Sequence, residues 1–320
     1  MHKLKRTQSL RANIDYTGLG LFIILFLLGI LLTILSPYFL TLNNIFNILL
    51  SVTVIGISAV GGTLVILSGG LDLSVESIIA CTGVIIAILN QRGFPIALSI
   101  FIGFLTGPIF GLIMGLLIAK AKINSVIVTL AMLTIIRGIA LLLTNAKTIS
   151  LRYTNIGIIT SGKIFNKIPI SIIILLAIFF IFFFILNFTP FGRNIYSVGG
   201  NPTASLLAGI NIEKYRIIVY VIAGSLSALS GVLFASMTGA GLPYGASGYS
   251  LTVITAVILG GISLAGGSGK IMGTFLGVLI IGVLNNGLVL LSITTFLQMI
   301  ITGLVLIIAV AVEKINLTNR

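Results

Sequence analysis

Asp72, Glu76 and Arg137 stand in stretches that are otherwise apolar enough to lie in a membrane. Charge in such places is costly and marks function more often than not. Asp72 and Glu76 are four residues apart, so they share a face if the stretch is helical. Like charges at that spacing repel unless one is protonated or a cation is near, and Arg137 is the available cation. Several readings follow. Asp72 would cap a half-helix by accepting hydrogen bonds from free N–H groups near its start. Glu76 would snorkel, pair with Arg137 or line a polar path. All three together would form a proton or sodium site of the kind built on broken helices. Ser74 belongs to the same stretch. Asn285, Asn286 and Gln298, near Ser292, Thr294 and Thr295, form a second polar group. Side chains of this kind hydrogen-bond neighbouring helices or, equally, a polar solute such as a sugar.

Other chemistry is excluded by composition. Cys81 is the only cysteine and His2 the only histidine. An internal disulfide, a multi-cysteine or histidine zinc site, a Ser-His-Asp triad and a Cys-His pair are therefore absent. Gly266-Gly267-Ser268-Gly269-Lys270 looks like a phosphate loop but fails as one. Leu264 stands where the pattern needs its first glycine, and Ile271 where it needs Ser or Thr. The chain thus offers no nucleotide or metal site, and any ATP it depends on belongs to another subunit.

The elements that position these residues must be membrane helices. Hydrophobic residues make up 58% of the 320 and charged residues only 7%, against roughly 25% charged in a soluble domain. That excludes a soluble or a disordered protein. The expected fold is all-α, a polytopic bundle of about ten transmembrane helices at 18–36, 45–67, 73–90, 95–119, 125–144, 168–189, 217–238, 250–265, 271–291 and 293–312. The basic run before the first span is not followed by a small-residue cleavage site, so the span is read as retained. The net charge of +13 would suggest nucleic acid in a soluble protein. Here it reflects topology, and nucleic acid is not an expected partner. With both termini cytoplasmic, twelve cations lie inside: Lys3, Lys5, Arg6, Arg11, Lys120, Lys122, Arg193, Lys214, Arg216, Lys270, Lys314 and Arg320. Five lie outside: Arg92, Lys147, Arg152, Lys163 and Lys167. The inverted orientation would reverse that bias.

This gives a cytoplasmic tail at 1–17, one transmembrane domain at 18–312 and a second cytoplasmic tail at 313–320. The external loop 145–167 carries four of the outside cations, either as a tolerated exception or as a docking surface for an acidic partner. The inside loop 190–216 is longer than a connection needs. Asn201-Pro202 starts a short helix there and Gly209 ends it. Gly103, Gly107, Gly111 and Gly115 recur every four residues, as do Gly231, Ala235 and Gly239, and Gly269, Gly273 and Gly277. Small residues at this spacing let helices approach closely in lipid. Thr53-Val54-Ile55 before Gly61-Gly62 and Thr252-Val253-Ile254 before Gly260-Gly261 hint at an internal repeat.

Four stretches resemble the ribose-type permease subunits of ATP-binding cassette importers. They are Gly69-Gly70-Leu71-Asp72-Leu73-Ser74-Val75, then Gly199-Gly200-Asn201-Pro202-Thr203-Ala204-Ser205-Leu206-Leu207-Ala208-Gly209-Ile210, then Leu259 to Gly269 with Gly273, and Asn286-Gly287-Leu288 with Gly303-Leu304; Arg137-Gly138 falls between the first two. The chain departs from that pattern at Glu76, where the family usually has glycine, and at Ser205, which replaces an alanine. The resemblance implies a multi-pass permease of the cell membrane, set in the lipid bilayer, that is not itself an enzyme. Its partners would be an ATPase subunit carrying ATP and Mg, an extracellular sugar-binding protein and a second permease copy, identical or related. The cargo would be a monosaccharide, with a ribose-like pentose favoured. Asn201, Pro202, Ala204, Ser205, Gly209 and Ile210 would form the coupling helix seated in the ATPase. Asp72, Ser74, Glu76, Arg137, Asn285, Asn286 and Gln298 remain candidates for the translocation path. The alternative is an ion-coupled secondary transporter using Asp72, Glu76 and Arg137. A passive channel and a membrane-embedded enzyme are the remaining rivals.

Overall fold

A computed structural model of the chain describes residues 16–152, 155–157, 160, 162–164 and 168–318. The N-terminal cations through Arg11, together with Lys167 and Arg320, lie outside the described residues. Among the described residues, twelve α-helices follow in order. They are α1 (Tyr16–Leu35), α2 (Leu42–Leu67), α3 (Val75–Gln91), α4 (Ile96–Ala119), α5 (Ser125–Thr144) and α6 (Ile170–Phe188), then α7 (Pro190–Gly200), α8 (Pro202–Leu207), α9 (Ile212–Thr238), α10 (Tyr249–Leu259), α11 (Ile271–Leu290) and α12 (Thr295–Thr318). Seven are long and apolar enough to cross a membrane: α1, α2, α4, α5, α6, α9 and α11. Shorter apolar helices stand at the other three expected spans, in α3, α10 and the first part of α12.

Helix α2 is the axis of the bundle, buried continuously from Val52 to Leu67. Its glycines allow this. A Cβ on Gly61 would stand 2.9 Å from the backbone of Ala223 in α9, and one on Gly56 would stand 2.6 Å from Leu175 in α6. The stripe on α4 works in the same way. Gly107 abuts the Gly224 carbonyl, Gly111 abuts Tyr220, and Gly115 would place a Cβ 2.9 Å from Ile217. Helices α4 and α9 thus meet backbone to backbone, as the four-residue spacing predicts. Gly231 lies against Ile79 and Thr82 of α3, and Gly273 and Gly277 lie against Gly260 and Ala256 of α10. By contrast, α1 turns Phe22, Phe26 and Ile34 outward, which suits a helix facing lipid.

The connections fall at two ends. Residues 68–70, 118–125 and 202–216 surround one cavity, and Gly267 donates to the Leu67 carbonyl beside them. At the opposite end, β1 (Ile149–Ser150) pairs antiparallel with β4 (Ala240–Gly241), and Asn90 accepts from the Arg152 N–H. The short β2 (Lys163–Ile164) and β3 (Ile168–Pro169) form a second antiparallel pair. Among the described residues, these connections thus divide between two ends of the bundle.

Three expectations need correction. The span 250–265 is helical only over 249–259, because Gly261 adopts φ +83° and turns the chain. The segment 190–216 is not a loop with one short helix. It holds α7 and α8, and α9 already begins at Ile212. The hinted repeat is not a structural one at its glycines: α2 runs through Gly61-Gly62, whereas α10 stops at Gly260-Gly261.

Candidate functional site: a capped end helix and an intramembrane ion pair

Helix α8 owes its definition to its two ends. Asn201 ends α7 and caps α8, its side chain accepting from the Ala204 N–H at 2.9 Å. Pro202 follows at the first helical position, where its missing N–H costs nothing. At the far end Gly209 adopts φ +79°, and its N–H donates to Leu206 while the Ile210 N–H donates to Ser205, both at 3.0 Å. That pair of bonds is the Schellman closure. Of the six helical residues only Ser205 is buried; Leu206 is 63% exposed and Leu207 86%. The small side chains expected to admit a partner thus divide. Ser205 faces the bundle, and Ala204 faces out.

Helix α7 holds α8 against the bundle. Gly199 abuts the Leu67 carbonyl, and that carbonyl accepts from Gly267 at 2.9 Å. Tyr196 donates to the Gly269 carbonyl at 3.0 Å. Gly266 and Gly267, at φ +84° and +69°, bring the 261–270 turn onto α7 where a side chain would collide. The failed phosphate loop is therefore a contact turn. Beside it a cavity of about 860 Å³ opens between α8 and the starts of α5 and α9, with Lys122, Glu213, Arg216 and Tyr220 in its wall.

Deeper in the bundle, Arg137 sits twelve residues into α5 and Glu76 in the first turn of α3. Their Nη2–Oε1 distance is 3.1 Å, and their side chains are only 13% and 14% exposed. Arg137 also donates through Nη1 to the carbonyls of Pro243 at 2.7 Å and Gly245 at 3.0 Å. Glu76 accepts through Oε2 from the Gly248 N–H at 2.7 Å. Ser250 joins the two helix starts, accepting from the Glu76 N–H at 3.2 Å and donating to Leu73 at 2.8 Å. One carboxylate thus meets a guanidinium and the N-terminal ends of both α3 and α10, where the helix dipoles favour negative charge.

Asp72 does not cap α3. Its Oδ1 accepts from the Ser74 N–H at 2.8 Å and the Ser74 hydroxyl at 2.6 Å, and Ser74 itself occupies the cap position. The helix begins only at Val75, which places Asp72 too early to reach its free N–H groups. Its other oxygen is buried with no hydrogen-bond partner among the described residues. The second polar group disperses. Asn286 exchanges two hydrogen bonds with Asn44, at 2.8 and 2.9 Å. Gln298 donates to the Ile293 carbonyl at 2.8 Å, and Asn285 is half-buried on α11. Asn44, Tyr196, Pro243, Gly245, Gly248 and Ser250 were not singled out by sequence. Their partners lie far along the chain, and most act through backbone groups that carry no residue signature.

The family described as branched-chain amino acid transport system / permease component matches residues 44–310. The ribose import permease of Bacillus subtilis (strain 168) is 41% identical over 317 residues, 98% of each chain. That of Escherichia coli (strain K12) is 39% identical over 299 residues, 92% of each chain. The L-arabinose ABC transporter permease of Azospirillum brasilense is 38% identical over 304 residues, 94% of this chain and 88% of its own. No solved structure matches. The likeness runs from the start of α2 into α12, through both broken-helix starts and the capped α8, so this multi-pass membrane chain belongs to that permease family and carries solute rather than catalysing a reaction.

Proposed function

We propose that the chain is the membrane-spanning subunit of an ATP-driven importer for a monosaccharide, a ribose-like pentose first among them. The observation that carries the coupling role is α8, a six-residue helix capped at both ends and offering Leu206 and Leu207 bare to a partner. Exposed apolar side chains rimmed by polar residues mark protein-interaction sites. In this reading the α8 end is cytoplasmic, in keeping with the bias of basic residues. A separate ATPase subunit holds ATP and Mg and grips Asn201 to Ile210. An extracellular binding protein delivers the sugar to the opposite end, where Lys147 and Arg152 supply charge. A second permease copy completes the pathway. ATP binding then biases two arrangements of the bundle, open outward or inward.

The names of the relatives supply the cargo, since the similar chains are ribose and L-arabinose permeases. The ion-coupled alternative is not favoured, because those relatives are importer subunits and Glu76 is already neutralised by Arg137. Uptake of labelled ribose, L-arabinose and leucine by vesicles holding the permease, its ATPase and its binding protein separates the cargo classes. Pentose uptake without leucine uptake is expected. Leucine uptake alone would overturn the sugar assignment.

A further inference from the structure

Helix α10 touches both parts of the site. Its eleven residues extend about 16 Å, roughly half of a bilayer core. It begins at the ion pair, where Glu76 holds the Gly248 N–H and Arg137 holds the Pro243 and Gly245 carbonyls. It ends in the 261–270 turn, whose Gly267 and Gly269 are bonded to Leu67 and to Tyr196 of α7. Helix α7 passes into α8 at Asn201 without an intervening loop. A continuous line of hydrogen-bonded elements therefore runs from the bare leucines of α8 to a charge pair inside the bundle.

The approach to α10 is also tied to α3 by Ser250, which accepts from the Glu76 N–H and donates to the Leu73 carbonyl, and Ala246 is buried in the core. Residues 242–248 are not helical, and Ala246 and Gly248 adopt φ +56° and +84°. Hydrogen bonds from Glu76 and Arg137 fix this stretch to α3 and α5. A guanidinium and a carboxylate buried to this degree resist separation, because either one left alone keeps its desolvation cost.

We propose that Glu76 is a positioning residue for transport, latching the start of α10 so that movement of α8 is transmitted through α7 and α10 to α3 and α5. The inference rests on the importer reading and adds to it a named route and an inner end point. A rigid rod transmits only if both ends are fixed. Release of the inner end lets α8 move without moving α3 and α5.

The test uses the full complex of permease, ATPase and binding protein in proteoliposomes. Glu76→Gln removes the charge while keeping the shape. Arg137→Lys keeps the charge but loses the planar fork that serves two carbonyls and a carboxylate. Tyr196→Phe weakens the outer contact of the same route. ATP-dependent uptake by the unaltered complex is established first; its absence would refute the importer reading itself. The expected result is that Glu76→Gln lowers the melting temperature, because Arg137 then keeps its desolvation cost unpaired, whereas Arg137→Lys, which leaves Glu76 a cation, lowers it less, and that both complexes retain basal ATPase activity. Sugar moved per ATP should fall about fivefold or more. Tyr196→Phe combined with Glu76→Gln should do no more harm than Glu76→Gln alone, since one broken rod cannot be broken again. Unchanged sugar per ATP in Glu76→Gln, or fully multiplicative losses in the double variant, would overturn the route. A loss of uptake matched by an equal loss of melting temperature and basal ATPase would overturn it too, by showing that the pair only stabilises the fold.

Discussion

Asn201 and Gly209 act on α8 from opposite ends, and each is open to change without disturbing the other. Removing the cap with Asn201→Ala should cost about 1 kcal/mol of local helix stability. Asn201→Asp, which still offers an oxygen to the Ala204 N–H, should cost far less. The expected readout is the amount of ATPase that co-purifies with the permease, reduced for alanine and retained for aspartate. At Gly209 the backbone angle of +79° is the constraint. A Cβ there would meet no other atom, so Gly209→Ala probes conformation alone. The left-handed region costs an ordinary residue about 1–2 kcal/mol. Gly209→Ala should therefore weaken ATPase capture while leaving the melting temperature of the transmembrane bundle unchanged. These two residues were legible in the sequence because caps are local: a side chain and a backbone angle within one turn settle them. At Asp72 the sequence points to a cap that the structure does not form, for a related reason. Asp72 stands in the right composition for a cap, but the helix starts at Val75, two residues after the start of the expected span at 73.

Helix pairing in this bundle depends on missing side chains. Gly107 touches the Gly224 backbone across the α4–α9 contact, whereas a Cβ on Gly138 of α5 would meet nothing within 4 Å. Gly107→Leu should separate α4 from α9 and destabilise the protein by at least about 1–3 kcal/mol, the usual cost of overpacking. Gly138→Ala should be neutral or slightly stabilising, since it removes only helix-interior glycine at about 0.5–1 kcal/mol. Thermal unfolding in detergent distinguishes the two. The four-residue spacing revealed such contacts in advance, because it defines one face of one helix. It did not reveal which helix lies opposite. Nor did it reveal that α10 stops at Leu259, since residues 250–265 read as one apolar run. The stop comes from a single backbone angle at Gly261, and from the close approach of Gly260 to Gly273, on the next helix.

At the scale of the molecule, the two ends have different structures. One end carries the bare α8, the cavity beside it and the glycine turn seated on α7. The other carries the β1–β4 pair and the cationic segment around Lys147 and Arg152. The alternation of spans made this division legible in the sequence. The pairing of Asn44 with Asn286, and of Arg137 with two backbone carbonyls, was not, because a contact between residues 242 or about a hundred positions apart leaves no periodic trace. The two ends suit a machine that takes energy at one face and cargo at the other. In the proposed function, α8 carries that energy. Uptake of labelled ribose by proteoliposomes, measured with ATP or with an imposed ion gradient, tests it most directly when the unaltered chain is set beside Leu206→Asp/Leu207→Asp. Uptake should need ATP, ignore the gradient and fall about tenfold or more in the double variant while the bundle still melts normally. Uptake that follows the ion gradient without ATP, or that is indifferent to two aspartates on α8, would contradict it.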